Sequence, residues 1–150
     1  IGRFVPVIAL TVSDGFFNLF SSPERTLLAA SIISLAIFTL LSKTRVNSLV
    51  LTAALVPIIH VLGIVFGAPL FYQWERTASW ALFNAVCATM PSSIEKSPLA
   101  YLKALISTDS APAESAFKNR FIAVLLFNWF GAAVIPLDWN RVWQKWPIPN

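Results

Sequence analysis

The chain has 150 residues, of which 57% are hydrophobic and 12% are charged, and its formal net charge is +4. Soluble domains usually contain about 25% charged residues, so this composition, with a mean hydropathy of +0.70, excludes an ordinary soluble domain. The basic residues form no stripe with interleaved surface aromatics, which argues against a nucleic-acid partner. Charges are absent from the intervals 26–42, 46–74, 77–94 and 121–137. A membrane-spanning helix needs roughly 17–25 apolar residues, so these intervals predict an all-α, polytopic transmembrane helix bundle.

Five hydrophobic segments follow one another along the chain, at about 4–20, 26–42, 47–70, 77–93 and 121–135. The first contains Pro6 and Asp14, and we expect it to be the end of a span whose beginning is missing. The second follows Ser22-Pro23-Glu24, which is typical of a helix start with an acid in the first turn. We therefore expect one membrane domain over 1–150, truncated at both ends, with about five spans here and six in the full protein.

The third segment carries Gly63 and Gly67 in a GxxxG pattern, and His60 precedes them. Glycines four residues apart let two helix backbones approach closely, and this contact is either internal to the bundle or made with a partner subunit. An imidazole in hydrocarbon should face protein or a cavity and find a hydrogen bond. His60 is then a structural histidine, a proton relay or a headgroup ligand. One His and one Cys cannot supply the three or four ligands of zinc, so no metal site is expected.

A long loop, 92–120, connects the fourth and fifth segments. Ser97 and Pro98 are placed as the N-cap and first residue of a short helix with apolar residues at 99, 102, 105 and 106. This pattern predicts an amphipathic helix lying on the surface. The stretch 107–115 is small and polar, which predicts a flexible linker.

Few residues in the predicted spans could form hydrogen bonds between helices or take part in catalysis. Asn84 and Asn128, in the fourth and fifth spans, are expected to hydrogen-bond between helices. The sequence contains no GxSxG motif, no P-loop and no paired carboxylate with a nearby base. Catalysis by this chain alone is therefore disfavoured, and no cofactor is expected.

The fifth segment leads into a tryptophan-rich stretch, 136–147. On a helix one stripe would hold Trp139, Val142, Trp143 and Trp146, and the opposite face would hold Asn140, Arg141, Gln144 and Lys145. Asp138 is placed as an N-cap, and Pro147 would end the helix. Because indole rings prefer the headgroup layer, we expect a short interfacial helix lying flat outside a span. Asp138 and Arg141 would either bind a phosphorylated headgroup or serve as cap and anchor.

Lysine and arginine residues divide unequally between the two sides of the predicted membrane. One side collects seven of them, namely Arg3, Lys43, Arg45, Lys96, Lys103, Lys118 and Arg120, and the other collects four, namely Arg25, Arg76, Arg141 and Lys145. The richer side is expected to be cytosolic. The stretch 136–147 should therefore lie on the luminal or exterior face.

Two stretches resemble the Pig-F proteins of glycosylphosphatidylinositol-anchor (GPI-anchor) biosynthesis. The stretch 60–70 begins with His and ends in Gly-Ala-Pro-Leu, as in that family, and 135–148 is similar to the family's Pro-Leu-Asp-Trp-acid-Arg-Pro-Trp-Gln-x-Trp-Pro signature. Together with similar span spacing, the likeness covers essentially the whole chain. Asn140 replaces the family's acid and Val142 its proline, and the first departure weakens a catalytic role.

The resemblance implies a multi-pass protein of the endoplasmic reticulum membrane that acts in adding ethanolamine phosphate to the GPI precursor. In that family the protein is a non-catalytic subunit that binds and stabilises large transferases, whose own luminal domains carry the metal site. The candidate contacts with this partner or with membrane lipid are His60, Gly63, Gly67, Pro69, Pro136, Leu137, Asp138, Trp139, Arg141, Trp143, Gln144, Trp146 and Pro147. Two alternatives stay open: a component that itself handles a phospholipid headgroup, and a small lipid transporter.

Overall fold

The computed structural model describes residues 22–41, 45–69, 71–90, 95–108 and 110–133, and all the regular structure in these ranges is helical. The helices are α1 (Pro23–Leu41), α2 (Arg45–Val65), α3 (Trp74–Thr89), α4 (Pro98–Ala104) and α5 (Pro112–Ala133). The prediction of an all-α protein is confirmed for this part of the chain. The first predicted span, 4–20, and the tryptophan-rich stretch, 136–147, lie outside the described residues.

Helix α3 occupies the centre of the bundle, because it packs against α1, α2 and α5, whereas the short α4 packs against α2 and α5. Glu24 at the start of α1 forms an ion pair with Arg76 at the start of α3, so these two helices run in the same direction. The hydroxyls of Thr52, early in α2, and Thr89, late in α3, are 2.9 Å apart. Helices α2 and α3 therefore run antiparallel, as expected for consecutive helices joined by a short turn.

Small side chains line the buried faces of α1 and α3. The buried residues of this kind are Thr26, Ala30, Ser31 and Ser34 on α1 and Ala81, Ala85 and Ala88 on α3. Small residues let two helix backbones approach closely, which is how helices associate where no hydrophobic force drives them together. The Ser31 hydroxyl donates to the Leu27 carbonyl of its own helix at 2.7 Å, so its burial leaves no unpaired donor.

Two of the described helices are long and apolar enough to cross a membrane, judged by length and composition, over Pro23–Leu40 and Val46–Val65. Only 33% of each window is buried, whereas the core helix of a soluble protein is mostly buried. The expectation of five spans is not confirmed. Helix α3 has 16 residues, which is short for a span, and α5 carries Glu114, Lys118 and Arg120 near its start.

The fifth helix begins at Pro112, well before the predicted residue 121, so the prediction of a linker over 107–115 is wrong for its last four residues. The Glu114 carboxylate accepts the backbone N–H of Ala111, the residue before the helix, at 3.2 Å. Proline at the first helical position has no N–H that needs a partner, and an acid at the third position caps the free N–H of the residue before the helix. These two residues start the helix despite the polar composition of the stretch.

The short helix α4 begins at Pro98 with Ser97 as N-cap, as predicted. The predicted apolar face is confirmed for Leu102 and Leu105, which pack against the core, and is wrong for its other two positions. Leu99 and Ile106 are exposed, whereas Tyr101 and Ala104 are buried. The Tyr101 ring packs edge-on against Phe117 of α5, with ring centroids 5.7 Å apart. An aromatic ring buries more area than a leucine side chain, so Tyr101 decides which face of α4 turns inward.

Candidate contact site at the end of α2 and the centre of the bundle

Four of the predicted contact residues lie in the described part of the chain, all near the C-terminal end of α2. Gly63 is buried, His60 and Pro69 are half-buried, and Gly67 is exposed. The other candidates all fall within 136–147, outside the described residues, and they stay predictions.

Gly63 lies inside the bundle, against α3. A Cβ atom added at this position would lie 2.7 Å from Cζ3 of Trp80 and 3.3 Å from Cγ2 of Thr77. Real Cβ contacts essentially never fall below 3.0 Å, and Trp80 is only 1% exposed, so its ring has no free space to move into. The close backbone approach at Gly63 is therefore internal, the first of the two alternatives for the GxxxG pattern.

Gly67 has a different role, because it ends α2. Its φ is +103°, and its N–H donates to the Ile64 carbonyl at 3.0 Å, while the Ala68 N–H donates to the Gly63 carbonyl at 2.9 Å. This pair of bonds is the Schellman C-cap, which places a residue with positive φ just past the helix and favours glycine there. The two glycines of the pattern thus serve a packing contact and a helix end, rather than one helix–helix interface.

His60 lies on α2 about one turn before Gly63. Within the described part of the chain its imidazole makes no hydrogen bond, although the sequence predicts one. Since the ring is half-buried, part of it is accessible at the outer surface of the bundle. Its role as a structural, proton-relaying or headgroup-binding residue remains a prediction.

Three polar side chains join α3 to α5 at the centre of the bundle, and we call Trp80, Asn84 and Asn128 the polar triad. The Trp80 Nε1–H donates to Oδ1 of Asn128 at 3.2 Å, and the Asn128 Nδ2–H donates to Oδ1 of Asn84 at 2.9 Å. Asn84 Nδ2 donates in turn to the Trp80 carbonyl at 2.9 Å. All three side chains are buried. The expectation that Asn84 and Asn128 hydrogen-bond between helices is confirmed.

The polar triad and the Gly63 contact share one residue. The Trp80 ring packs on Gly63 of α2, while its N–H reaches Asn128 of α5. Because buried tryptophan combines a large apolar area with one N–H that needs an acceptor, this side chain fixes the spacing of α2, α3 and α5 together. Trp80 was not among the residues predicted to make contacts between helices. The signal that would have found it is the spacing Trp80-x-x-x-Asn84 within one apolar segment, since these residues share a helix face.

One ion pair and one lysine hydrogen bond hold the end of the bundle where α2 and α5 begin. Lys96 Nζ lies 2.7 Å from Oε1 of Glu114, and Lys118 Nζ donates to the Ser107 carbonyl at 2.6 Å. The hydrogen bond from Lys96 lowers the pKa of the Glu114 carboxyl, and the hydrogen bond to Glu114 raises the pKa of the Lys96 ammonium. Arg76 lies near the other end of the bundle, beside Glu24. These contacts attach the 95–111 connection to α5.

The outer surface of the bundle is apolar. Large hydrophobic side chains are exposed on α1 at Ile32, Ile33 and Leu40, on α2 at Val50, Ile58, Val61 and Val65, and on α5 at Ile122, Leu126, Phe127, Trp129 and Phe130. A hydrophobic cluster that includes Leu51, Leu55, Ile59 and Phe117 fills the core, and the buried polar groups lie among these side chains. Exposed large apolar side chains in this number are typical of a surface that meets lipid or another protein. Among the described residues, no group of three or more His, Cys, Asp or Glu side chains could hold a metal ion.

The comparison with known families agrees with the resemblance noted in the sequence. The model of the GPI biosynthesis protein family Pig-F matches residues 4–149. The chain belongs to the Pig-F family. The match includes the stretch 136–147, which carries the tryptophan-rich signature, as well as the helices described above.

Curated relatives of the Pig-F family match the chain over part of their length. It is 32% identical over 101 residues to "Glycosylphosphatidylinositol anchor biosynthesis protein 11" of Pyricularia oryzae, covering 67% of this chain and 38% of that protein. It is 33% identical over 94 residues to the human "GPI ethanolamine phosphate transferase, stabilizing subunit", covering 59% of this chain and 42% of that protein. The chain thus spans less than half the length of these relatives. No solved structure matches it.

Proposed function

We propose that this chain is part of a non-catalytic membrane subunit that binds and stabilises the ethanolamine-phosphate transferases of GPI-anchor precursor synthesis. Membership of the Pig-F family and the name of the human relative support this role. We place the protein in the endoplasmic reticulum membrane, where its helices cross the bilayer several times. The membrane-length apolar windows of α1 and α2 support that placement.

The observation that carries the proposal is the distribution of side chains in the bundle. The polar triad joins its helices internally, and the large apolar side chains of α1, α2 and α5 point outward. In water, an apolar surface of this extent would cause aggregation. In a membrane the same surface faces lipid tails and the helices of other proteins, which associate with it through close packing.

A subunit of this kind stabilises its partner by mass action. Anything that binds the folded transferase and not the unfolded one lowers the free energy of the folded state, by about 2.7 kcal/mol when its concentration is 100 times the dissociation constant. The bundle needs no catalytic group for this effect. It needs only an outer surface that is already ordered before the partner arrives, because ordering costs then do not weaken binding.

Depletion of the protein from cells should lower the amount of transferase protein without lowering its messenger RNA. The transferase would lose its partner in the membrane and be degraded faster. Quantitative immunoblotting of an epitope-tagged transferase measures the effect, and re-expression of the protein should restore the level. Re-expression of a variant with Asn119→Leu, a change at an exposed position of α5, serves as the control and should restore it equally. Unchanged transferase abundance and activity in depleted cells would refute the proposal.

A further inference from the structure

Three exposed aromatic side chains lie at the end of the connection between α2 and α3 and at the first residue of α3, and we call residues 71–74 the aromatic turn. Phe71 is 92% exposed, Tyr72 is 71% exposed and Trp74 is 59% exposed. The apolar side chains on the outer faces of α1 and α2 are mainly aliphatic. The aromatic turn therefore differs in chemistry from these two helix surfaces, whereas α5 exposes aromatic side chains of its own at Phe127, Trp129 and Phe130.

The backbone of the aromatic turn is held in an unfavourable conformation. Gln73 has φ 58° and ψ 35°, the left-handed region, which costs a residue other than glycine about 1–2 kcal/mol. The Arg76 side chain donates through Nη1 to Oε1 of Gln73 at 3.0 Å, and the Arg76 backbone N–H donates to the Gln73 carbonyl at 3.0 Å. Such a conformation persists only where the surrounding contacts fix it, so the turn presents its aromatic side chains in a defined place.

The same arginine sets the level of the aromatic turn along the bundle. Arg76 Nε lies 3.2 Å from Oε2 of Glu24, which is the second residue of α1. The apolar window of α1 begins at Pro23 and that of α2 ends at Val65. The turn thus lies at the end of the bundle where both membrane-length apolar windows stop and an ion pair appears. In a membrane, this end of the bundle would lie at the boundary between hydrocarbon and headgroups.

We propose that the aromatic turn sits in the lipid headgroup layer and fixes the depth of the bundle in the membrane. This inference rests on the membrane placement given under the proposed function. Tyrosine and tryptophan combine an apolar ring with a polar group, and they concentrate at membrane interfaces for that reason. The lipid surface is favoured over a partner protein because the three rings lie level with the ends of two apolar helices, where such anchors are expected.

A spin label next to the turn tests its depth without removing an aromatic residue. Glu75 is exposed, so a label on E75C, with Cys87→Ser as the background change, reports the position of the turn. In phosphatidylcholine vesicles the label should collide both with oxygen and with a water-soluble nickel chelate. The ratio of these two collision rates should be typical of the headgroup layer. Replacing Phe71, Tyr72 and Trp74 with serine should raise the rate of collision with the nickel chelate relative to that with oxygen, because the turn loses the side chains that anchor it.

Two control positions separate the outcomes. A label on V61C, on the exposed face of α2, should collide with oxygen and not with the chelate, and Leu99→Ser, near the opposite end, should leave the ratio at position 75 unchanged. If position 75 is as open to the chelate as a label in water, or shielded from both reagents by protein, the inference is wrong although the membrane placement stands. If position 61 is open to the chelate, the inference and the membrane placement both fail.

Discussion

Replacing Gly63 with leucine is expected to cost about 3 kcal/mol of the free energy of unfolding, the upper end for an overpacked core. Even a single Cβ atom would lie 2.7 Å from Trp80 Cζ3. The ring cannot move aside without breaking its bond to Asn128, 3.2 Å away. Gly63→Ala should also destabilise, by less, although alanine favours helix over glycine by about 1 kcal/mol. The steric clash thus destabilises the Gly63→Ala variant, whereas the higher helix propensity of alanine alone would stabilise it.

The measurement is equilibrium unfolding in mixed detergent micelles, followed by circular dichroism. Val61→Leu is the matched control, since it enlarges an exposed side chain two residues earlier on the same helix and should change little. In a Trp80→Phe background, which removes part of the ring, Gly63→Ala should cost less than it does in the original protein. Equal stability of the Gly63→Leu and Val61→Leu variants would show that the contact between α2 and α3 is not as described.

Asn128→Leu should lower the free energy of unfolding more than the same substitution at Asn84. The substitution removes both the oxygen that accepts from the Trp80 Nε1–H and the amide N–H that donates to Oδ1 of Asn84. A buried polar group left without a partner costs about 1–3 kcal/mol, whereas the mean value of a hydrogen bond between membrane helices is about 0.6 kcal/mol. Because two groups are left unpaired, we expect a loss of about 2 kcal/mol.

Variants of the triad should lose unfolding free energy in a fixed order, which a general loss of polarity would not produce. Asn84→Leu leaves the bond from Trp80 to Asn128 intact, so it should cost less than Asn128→Leu. Asn119→Leu, at an exposed position of α5, is the control and should cost least. The same unfolding measurement ranks the three variants. An Asn128→Leu variant as stable as the Asn119→Leu variant would be incompatible with a buried triad.

Local sequence signals predicted where several helices begin, because those signals act over a few residues. Ser22-Pro23-Glu24 and Ser97-Pro98 mark the starts of α1 and α4 in the structure. The start of α5 was missed for a related reason. Pro112 and Glu114 carry the same kind of signal, but they lie in a stretch whose small polar composition is typical of a linker.

The contacts between helices could be predicted only in part, because they depend on how each helix is rotated and on its register against its neighbours. Hydrogen bonds from Asn84 and Asn128 across helices were expected, since amides in apolar segments need partners. The role of Trp80 was not, because nothing local indicates that its ring lies on Gly63. For the same reason the periodicity of α4 did not reveal that Tyr101 faces Phe117. The helix end at Gly67 is a local feature, and it was missed because the apolar segment continues to residue 70.

The proposed function requires direct contact between the apolar outer surface of this chain and a transferase within the membrane. Photo-crosslinking in intact membranes tests it, with the photoreactive residue placed at Ile33, Val61 or Phe127, which are exposed on α1, α2 and α5. The control position is Ala85, which is fully buried on α3. We expect a crosslinked product containing the transferase from at least one outer position and none from Ala85. A correctly inserted protein whose three outer positions all fail to reach the transferase would contradict the account.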